Sequence, residues 1–454
     1  MVSDNIANVH TPGYHRKRVA LATNPAIDPT MTEIRKYDRG AGVTVAGVIR
    51  SFNAMKEGLL LEQTGYAGYY EAQAQGLGQL EALLAPDADA ASLADSMHKF
   101  WNAWQDVAVH PDTLAFRSVL IEQGAALADQ FRTLDNRLDN FRSQIVAGAA
   151  APYAGLMPGE VERINTMLTQ LEDLNYRISY SLSHFQPNNL LDKRTELLRE
   201  LSEALDIVVD ADYNVTLDGQ TLVSGDGSVR NELVLTDIAA ATEPAVRFEV
   251  DGVAVAVNGG RLGGWANVVD TADSLRAMLD TLAREMMNAV NAVHNGPDAY
   301  DLDGNPSVLD FFAGTGAADM TVHPLLRDAS NPINNNPRAI AAADAPSPGN
   351  GAKALEIAGL AHVRLAGLNE LTFLEYFTGA MGSLGARVEN AGQMAQDSAA
   401  VVGMLRDAIQ AETGVNLDEE LIELVSAQRA YQAAVRLFTM IDDMLETLIF
   451  RMGA

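Results

Sequence analysis

The sequence predicts an α+β protein that is mainly α: a long-helix bundle with coiled-coil-like terminal helices and a small inserted antiparallel β domain. Three observations carry this. Apolar residues recur every three or four positions through much of the chain, as in Leu127, Phe131, Leu134, Leu138, Phe141 and Ile145. The period drops to two over residues 207–258. The last stretch, from Leu417 to Leu448, keeps a heptad rhythm without a break.

Taken in order, residues 1–14 read as the end of a helix and a turn. Pro12 fixes φ and Gly13 accepts positive φ, which suits the two central positions of a type II turn. A short basic stretch follows, His15 to Arg18. Residues 19–50 are rich in Thr, Val, Pro and Gly and read as an extended connector with a hairpin. Helix dominates from Ser51 to Asp206. Val161, Ile164, Leu168, Leu171, Leu174 and Ile178 repeat the rhythm of the 127–145 seam, so these helices pack side by side. Breaks are expected at Pro86-Asp87 and over Ala147–Gly159, and a helix start at Pro111-Asp112.

Near Ile207 the pattern changes. Tyr213–Leu217 and Thr221–Val223 flank Asp218-Gly219, and Val246–Val250 runs into Asp251-Gly252 before Val253, Val255 and Val257. Asp-Gly fits a two-residue type I′ turn, whose central positions both need positive φ. Helix returns over Trp265–Val293, with Leu275, Leu279, Leu282, Met286, Ala289 and Val293 at heptad spacing. Residues 296–354 are loop-rich, with one strand near Met320–His323. Helix resumes from Ala352 and breaks at Gly414. The expected division is 1–50 with 411–454, then 51–206 with 265–295 and 352–410, then 207–264, then 296–351.

The chain has 454 residues, 48% of them hydrophobic and 20% charged, enough for about two to four domains with their own cores. Its net charge of −28 argues against nucleic acid or an anionic membrane surface as partner. There is no cysteine, which removes thiolate metal sites, Cys nucleophiles and disulfides together. No apolar run reaches the ~20 residues of a membrane span. No basic-then-apolar leader opens the chain, so an exported form is expected to use a route without a cleaved leader.

The last helix is the strongest physical signal. Thr413 or Asn416 can cap it, and Asp418, Glu419 and Glu420 lie in its first turn, where the helix dipole favours negative charge. Leu417, Leu421, Leu424, Gln428, Tyr431, Val435 and Phe438 form its seam, and Ile441, Leu445 and Leu448 continue it after one slip. Gln428 is a polar residue at an inner position, of the kind that fixes register. Periodicity alone fits two arrangements equally: a helix docked on its own core, or a seam that binds neighbouring subunits.

The two ends together carry a resemblance. Asp4-Asn5-Ile6-Ala7-Asn8 with Thr11-Pro12-Gly13-Tyr14 resembles the signature of bacterial flagellar rod, hook and hook-associated proteins. Thr413 to Glu420, Gln428 to Ala433 and Asp443 to Leu448 resemble the matching C-terminal signature. Within that group the chain is most similar to the hook-associated protein 1 (FlgK) family. Asn189 to Arg194 with Leu197 to Ser202, Gly263-Gly264, Tyr300 to Asn305 and Asp310-Phe311-Phe312 carry this narrower likeness. Family members have further apolar, helical residues ahead of the Asn5–Asn8 segment, and the family's export signal lies at that end. The chain is therefore expected either to have a longer true start or to have a short first helix.

The resemblance implies a secreted structural subunit at the junction of hook and filament. It implies an assembly interface at Asn5, Ile6, Asn8, Thr11, Pro12, Gly13 and Tyr14 and along the seam Leu417, Leu421, Leu424, Gln428, Tyr431, Val435, Phe438, Ile441, Leu445 and Leu448. The implied partners are further copies in a ring, the hook protein, hook-associated protein 3, a dedicated export chaperone and the flagellar type III export apparatus. Segments 207–258 and 296–354 would face outward. Another axial subunit of hook or rod is the alternative, followed by an extracellular coiled-coil adhesin or a secreted enzyme.

No cofactor, metal or catalytic constellation is expected. Asp301-Leu302-Asp303-Gly304-Asn305 hints at a calcium loop but lacks the closing bidentate Glu. Gly259-Gly260 and Gly263-Gly264 do not form a phosphate-binding pattern. The eight His are scattered, and Ser224 and Ser383 have no nucleophile-elbow setting.

Overall fold

The computed structural model describes residues 1–11, 13–23, 43–84, 92–146, 155–182, 186–237, 246–328, 330–331, 334–347 and 349–452. In chain order its elements are α1 (Val2–Ala7), β1 (Lys17–Thr23), β2 (Val43–Arg50), α2 (Ala54–Leu84), α3 (Leu93–Val109), α4 (Leu114–Val146), α5 (Leu156–Leu182) and α6 (Asn188–Ala204). Then come β3 (Val208–Val209), β4 (Val215–Leu217), β5 (Gln220–Val223), β6 (Leu233–Asp237), β7 (Val246–Val250), β8 (Val253–Val255) and α7 (Gly260–His294). Last are β9 (Phe312–Ala313), β10 (Thr321–Val322), α8 (Ala352–Gly359), α9 (Phe373–Thr413) and α10 (Leu417–Met452).

The chain gathers into two compact units. One takes Met1–Ala67, Ile164–Leu233 and Asp397–Ala454; the other takes Gly68–Arg163 and Val234–Gln396. The boundaries fall inside α2, α5 and α9, where composition leaves no mark.

The second unit holds the largest core. Helix α3 opens on a capping box: the Ser92 hydroxyl accepts from the Asp95 N–H and the Asp95 carboxylate accepts from the Ser92 N–H. Its Phe100 and Trp104 meet Phe311, with ring centroids 5.7 and 5.3 Å away. Each such ring contributes about 1.5–3 kcal/mol by leaving water. The α4 seam from Leu127 to Ile145 is buried throughout. Arg276 of α7 ties down α4, meeting Asp135 at 2.7 Å and Asp139 at 2.6 Å.

Helix α7 starts at Gly260, earlier than the expected Trp265, because Gly263 and Gly264 lie inside it and not before it. A Cβ on Gly264 would stand 2.3 Å from the carbonyl oxygen of Tyr69, so the bare Cα is what lets α7 touch α2. The α7 seam is buried at Leu275, Leu279, Leu282 and Met286 and then shifts: Val290 and His294 are buried while Ala289 and Val293 are half-exposed. A straight helix drifts by about 20° per heptad, and over four turns that moves the inner face by one residue.

Both expected turns are type I′ in sign, with φ of 46° and 77° at Asp218 and Gly219 and 52° and 73° at Asp251 and Gly252. The β segment forms two three-stranded sheets, in the orders β3-β4-β5 and β6-β7-β8. Strand β7 buries Val246, Phe248 and Val250, as its alternation predicts. The strand expected near Met320–His323 is β10, paired with β9.

Segment 296–351 is loop-rich, yet it inserts Phe311, Phe312, Met320, Leu326 and Ile340 into the core. In the acidic loop, the Asp301 carboxylate accepts from the backbone N–H groups of Asp303 and Asn305.

Three expectations about helix limits need correction. The helix resuming at Ala352 does not run to Gly414: it ends at Gly359, and α9 starts only at Phe373. Asn369 and Glu370, with φ of 56° and 59°, cannot continue a right-handed helix. Thr372 and Glu375 then form a capping box for the new start. The break expected over Ala147–Gly159 ends sooner, since Pro158 and Gly159 sit in the first turn of α5. Proline is tolerated there because that N–H has no intrahelical partner. The Pro86-Asp87 break lies outside the described residues, between α2 and α3.

Candidate assembly site

The first unit brings the two chain ends together around one side chain. Asn5 of α1 is 1% exposed. Its Nδ2 donates to the Lys17 carbonyl at 3.0 Å and to Glu420 Oε2 at 3.1 Å. Its Oδ1 accepts from the Lys17 N–H at 3.1 Å and from the Tyr14 hydroxyl at 3.0 Å. Two donors and two acceptors are thus all used, which only a carboxamide can do. Burial of such a group without partners would cost several kcal/mol.

Around Asn5 the turn closes. The Tyr14 N–H donates to the Thr11 carbonyl at 3.2 Å, and the Thr11 hydroxyl donates to Asn8 Oδ1 at 3.2 Å. Gly13 has φ of 70°, and a Cβ there would lie 2.8 Å from Glu196 Oε2. Asn8 Nδ2 donates to the Asp4 carbonyl at 2.8 Å. Ile6 is half-buried. Pro12 lies outside the described residues. The Tyr14 hydroxyl is held neutral to higher pH than usual by burial and by Asp4.

The next three residues are the ones sequence reasoning passed over as a basic stretch. Arg16 is buried; its Nε donates to Glu420 Oε1 at 2.7 Å and its Nη1 to Glu419 Oε2 at 2.6 Å. Burial works against its charge, and the two carboxylates outweigh burial, so its pKa is raised. The Arg16 N–H also donates to the Thr413 carbonyl at 2.9 Å. His15 Nδ1 lies 2.9 Å from Asp192 Oδ1, and its Nε2 lies 3.7 Å from Glu57. Burial lowers the His15 pKa and these two carboxylates raise it more. Arg199 grips Glu57 at 2.6 Å and Arg50 grips Asp192 at 3.0 Å. Despite its burial, Glu57 is held below the usual carboxylate range by His15 and Arg199. The available signal was charge: His15 to Arg18 basic, Asp418 to Glu420 acidic.

Helix α10 leaves this clasp. Its cap is Asn416, whose Oδ1 accepts from the Asp418 N–H at 3.0 Å; Thr413 instead donates its hydroxyl to the Ile409 carbonyl. Glu420 is fully buried. Beyond it no described side chain of α10 is buried, and Leu424 alone is half-buried. Tyr431 is 72% and Phe438 70% exposed; Leu417, Leu421, Gln428, Val435, Ile441 and Leu445 are exposed too. The side chain of Leu448 lies outside the described residues. The helix is therefore not docked on its own core. The N-terminal candidates and the start of α10 are brought together, and the rest of the seam is not.

Among the described residues no group of three His, Asp or Glu is placed to hold a metal ion. No helix among them is long and apolar enough to cross a membrane. Buried polar contacts lock the two ends, and a helix leaves that lock with its apolar side chains in solvent. These features define a structural subunit of a larger assembly.

The comparisons agree. The profile described as the flagellar hook-associated protein FlgK helical domain matches residues 77–312, just over half of the chain. The profile described as the flagellar basal body rod FlgEFG protein C-terminal region matches 410–450, which is the far side of the clasp and α10. The chain belongs to the FlgK family of flagellar hook-associated proteins. It is 27% identical over 492 aligned positions to flagellar hook-associated protein 1 of Bacillus subtilis (strain 168), covering 99% of this chain and 94% of that protein. Its likeness to flagellar hook-associated protein 1 of Salmonella typhimurium is 28% over 330 positions, 69% of this chain and 56% of that protein. A solved structure, the flagellar hook junction protein FlgK from Burkholderia pseudomallei, shares the fold with a TM-score of 0.62 at 14% identity, over 78% of this chain and 99% of that one.

Proposed function

We propose that this chain is the structural subunit of the hook–filament junction in a bacterial flagellum. It is exported and polymerised at the hook tip, so that the filament can attach. The carrying observation is α10, held at its first turn by Arg16 and Asn5 and left with an exposed apolar seam. An amphipathic helix of this length gains little stability alone, and neighbours that cover it supply the rest. Coupling that cover to assembly confines polymerisation to the growing tip.

On this reading, segments 1–50 and 411–454 are the assembly domain. Residues 51–206, 265–295 and 352–410 are its helical bundle, 207–264 its inserted β domain and 296–351 an outer excursion. The chain contacts further copies in a ring, the hook protein on one side and hook-associated protein 3 on the other. A dedicated chaperone shields α10 before the type III export apparatus secretes the chain. It works without catalysis, nucleic acid or membrane insertion.

The test is to delete residues 415–454 in the native host and to follow swimming and flagellin. Hooks without filaments, with flagellin shed as monomer, are expected. Unimpaired motility would sink the proposal. The match of 410–450 to rod proteins favours a second reading, a hook or rod subunit, and that reading requires the hooks themselves to be missing.

A further inference from the structure

The apolar surface of α10 does not stay on one side of the helix. At about 100° per residue, Leu417, Leu421, Leu424, Val425 and Tyr431 lie along one stripe. Leu437, Met440, Ile441 and Met444 lie along another, turned by roughly 150°. Both stripes are uncovered: Leu421 is 50% exposed and Met440 57%. A single flat partner cannot cover both. The slip at Ile441 is thus a change of face.

The same unit carries a second uncovered apolar face. Strands β1 and β2 pair with Val19 opposite Val48, Leu21 opposite Val45 and Thr23 opposite Val43. Cross-strand partners share a face, so these six residues form one continuous apolar ribbon. Leu21, Val43 and Val45 are each more than 60% exposed. A lone two-stranded ribbon is marginal in water and needs something laid across it. The two strands carry Lys17, Arg18 and Arg50 and no acid, within a chain of net charge −28. Arg18 is exposed. The second stripe of α10 is bordered by Asp442, Asp443 and Glu446, all exposed.

We propose that the β1–β2 ribbon of one copy packs on the Leu437–Met444 stripe of α10 in a second copy, with Arg18 facing the acidic border. Charge complementarity selects this occupant. Ribbon and stripe both start from the clasp, yet both remain exposed within one chain, so the contact forms between copies. Joining two different surfaces in this way is heterologous, and it propagates from copy to copy. The inference rests on the assembly reading above and names the partner of its exposed helix.

The absence of cysteine makes the test clean. Leu21→Cys is placed in one copy and Met440→Cys in another, and disulfides are scored in hooks isolated from cells carrying both alleles and in concentrated full-length protein. Glu446→Cys, on the opposite side of α10, replaces Met440→Cys as control. A 21–440 disulfide without a 21–446 disulfide is expected. A dominant 21–21 disulfide would mean ribbons pairing with each other, and no 21–440 product in either sample would mean no such contact; both overturn the proposal. Arg18→Glu is expected to weaken self-association by roughly fivefold, the size of one exposed ion pair, with recovery on adding Asp442→Arg. The disulfides are read without reference to swimming. A missing 21–440 bond beside filament loss on deleting 415–454 would therefore sink this contact alone. A bond formed beside intact motility would sink the junction reading alone.

Discussion

The guanidinium of Arg16 meets the carboxylate of Glu420 at 2.7 Å across 404 residues of sequence, with the Glu420 side chain fully buried and that of Arg16 only 10% exposed. Removing one member of such a pair leaves the other buried and uncompensated, which costs about 3–5 kcal/mol. Glu420→Ala is therefore expected to lower stability by that amount and to release the Arg16 and Lys17 amides to faster hydrogen exchange. The double change Arg16→Met with Glu420→Leu should cost less than Glu420→Ala alone. Urea unfolding of the three proteins checks the order, and an equal loss in all three would show that the pair itself is not what matters.

Truncation sorts anchor from extension. Among the described residues of α10 nothing past Glu420 is buried. A chain ending at Val425 should unfold at nearly the same urea concentration as the full chain. One ending at Val415 loses the Glu420 contacts and should unfold earlier. A large stability loss in the longer truncate would mean that α10 packs on its own chain.

Two histidines should tilt the pH dependence in opposite directions. His294 is fully buried: its Nδ1 donates to the Leu309 carbonyl at 2.7 Å and its Nε2 accepts from the Ala341 N–H at 3.0 Å. Burial pushes its pKa from 6.5 down to about 4. The unfolded chain then takes up a proton that the folded chain refuses. Stability is full above pH 6.5 and falls as pH drops toward 4, by about 3 kcal/mol. His15 has a raised pKa, so its contribution is full below pH 6.5 and fades as pH rises through the raised value. Urea midpoints from pH 4.5 to 8 should show His294→Gln flattening the acid limb and His15→Gln flattening the alkaline one. Identical profiles for the two variants would contradict both assignments.

Two glycines inside helices should respond with opposite signs. Ala is a better helix former than Gly by about 1 kcal/mol. At Gly58 of α2 an added Cβ meets nothing within 4 Å, so Gly58→Ala should stabilise by up to about that amount. At Gly264 the Cβ meets the Tyr69 carbonyl and the Ala72 methyl, backbone and small atoms that cannot swing away. Overpacking of this kind costs about 1–3 kcal/mol, so Gly264→Ala should destabilise on balance. Thermal unfolding of the two variants decides it.

What the sequence disclosed follows from the range of the forces involved. Asp218-Gly219 and Asp251-Gly252 were legible because a type I′ turn is a local steric demand. The Leu127–Ile145 seam was legible because a helix face repeats locally. The pause between α8 and α9 was equally local: Thr372 and Glu375 spell a capping box, but the apolar pattern on both sides hid it. Asn5 and Tyr14 were found through the terminal signature, whereas the reason for Asn5 became visible only with four partners around it. His15, Arg16 and Glu420 were missed because a charged residue is exposed by default. Nothing local announces a partner some 400 positions away.

That distance also sets a schedule. At a synthesis rate of 5–20 residues per second, Glu420 leaves the ribosome about 20–80 s after Arg16. Every segment of the second unit has been made by then. Through this interval the first helix has no counter-ion waiting for it and His15 and Arg16 stay hydrated. The clasp is the last part of the molecule to become available, and until then the newborn chain keeps both its ends untied.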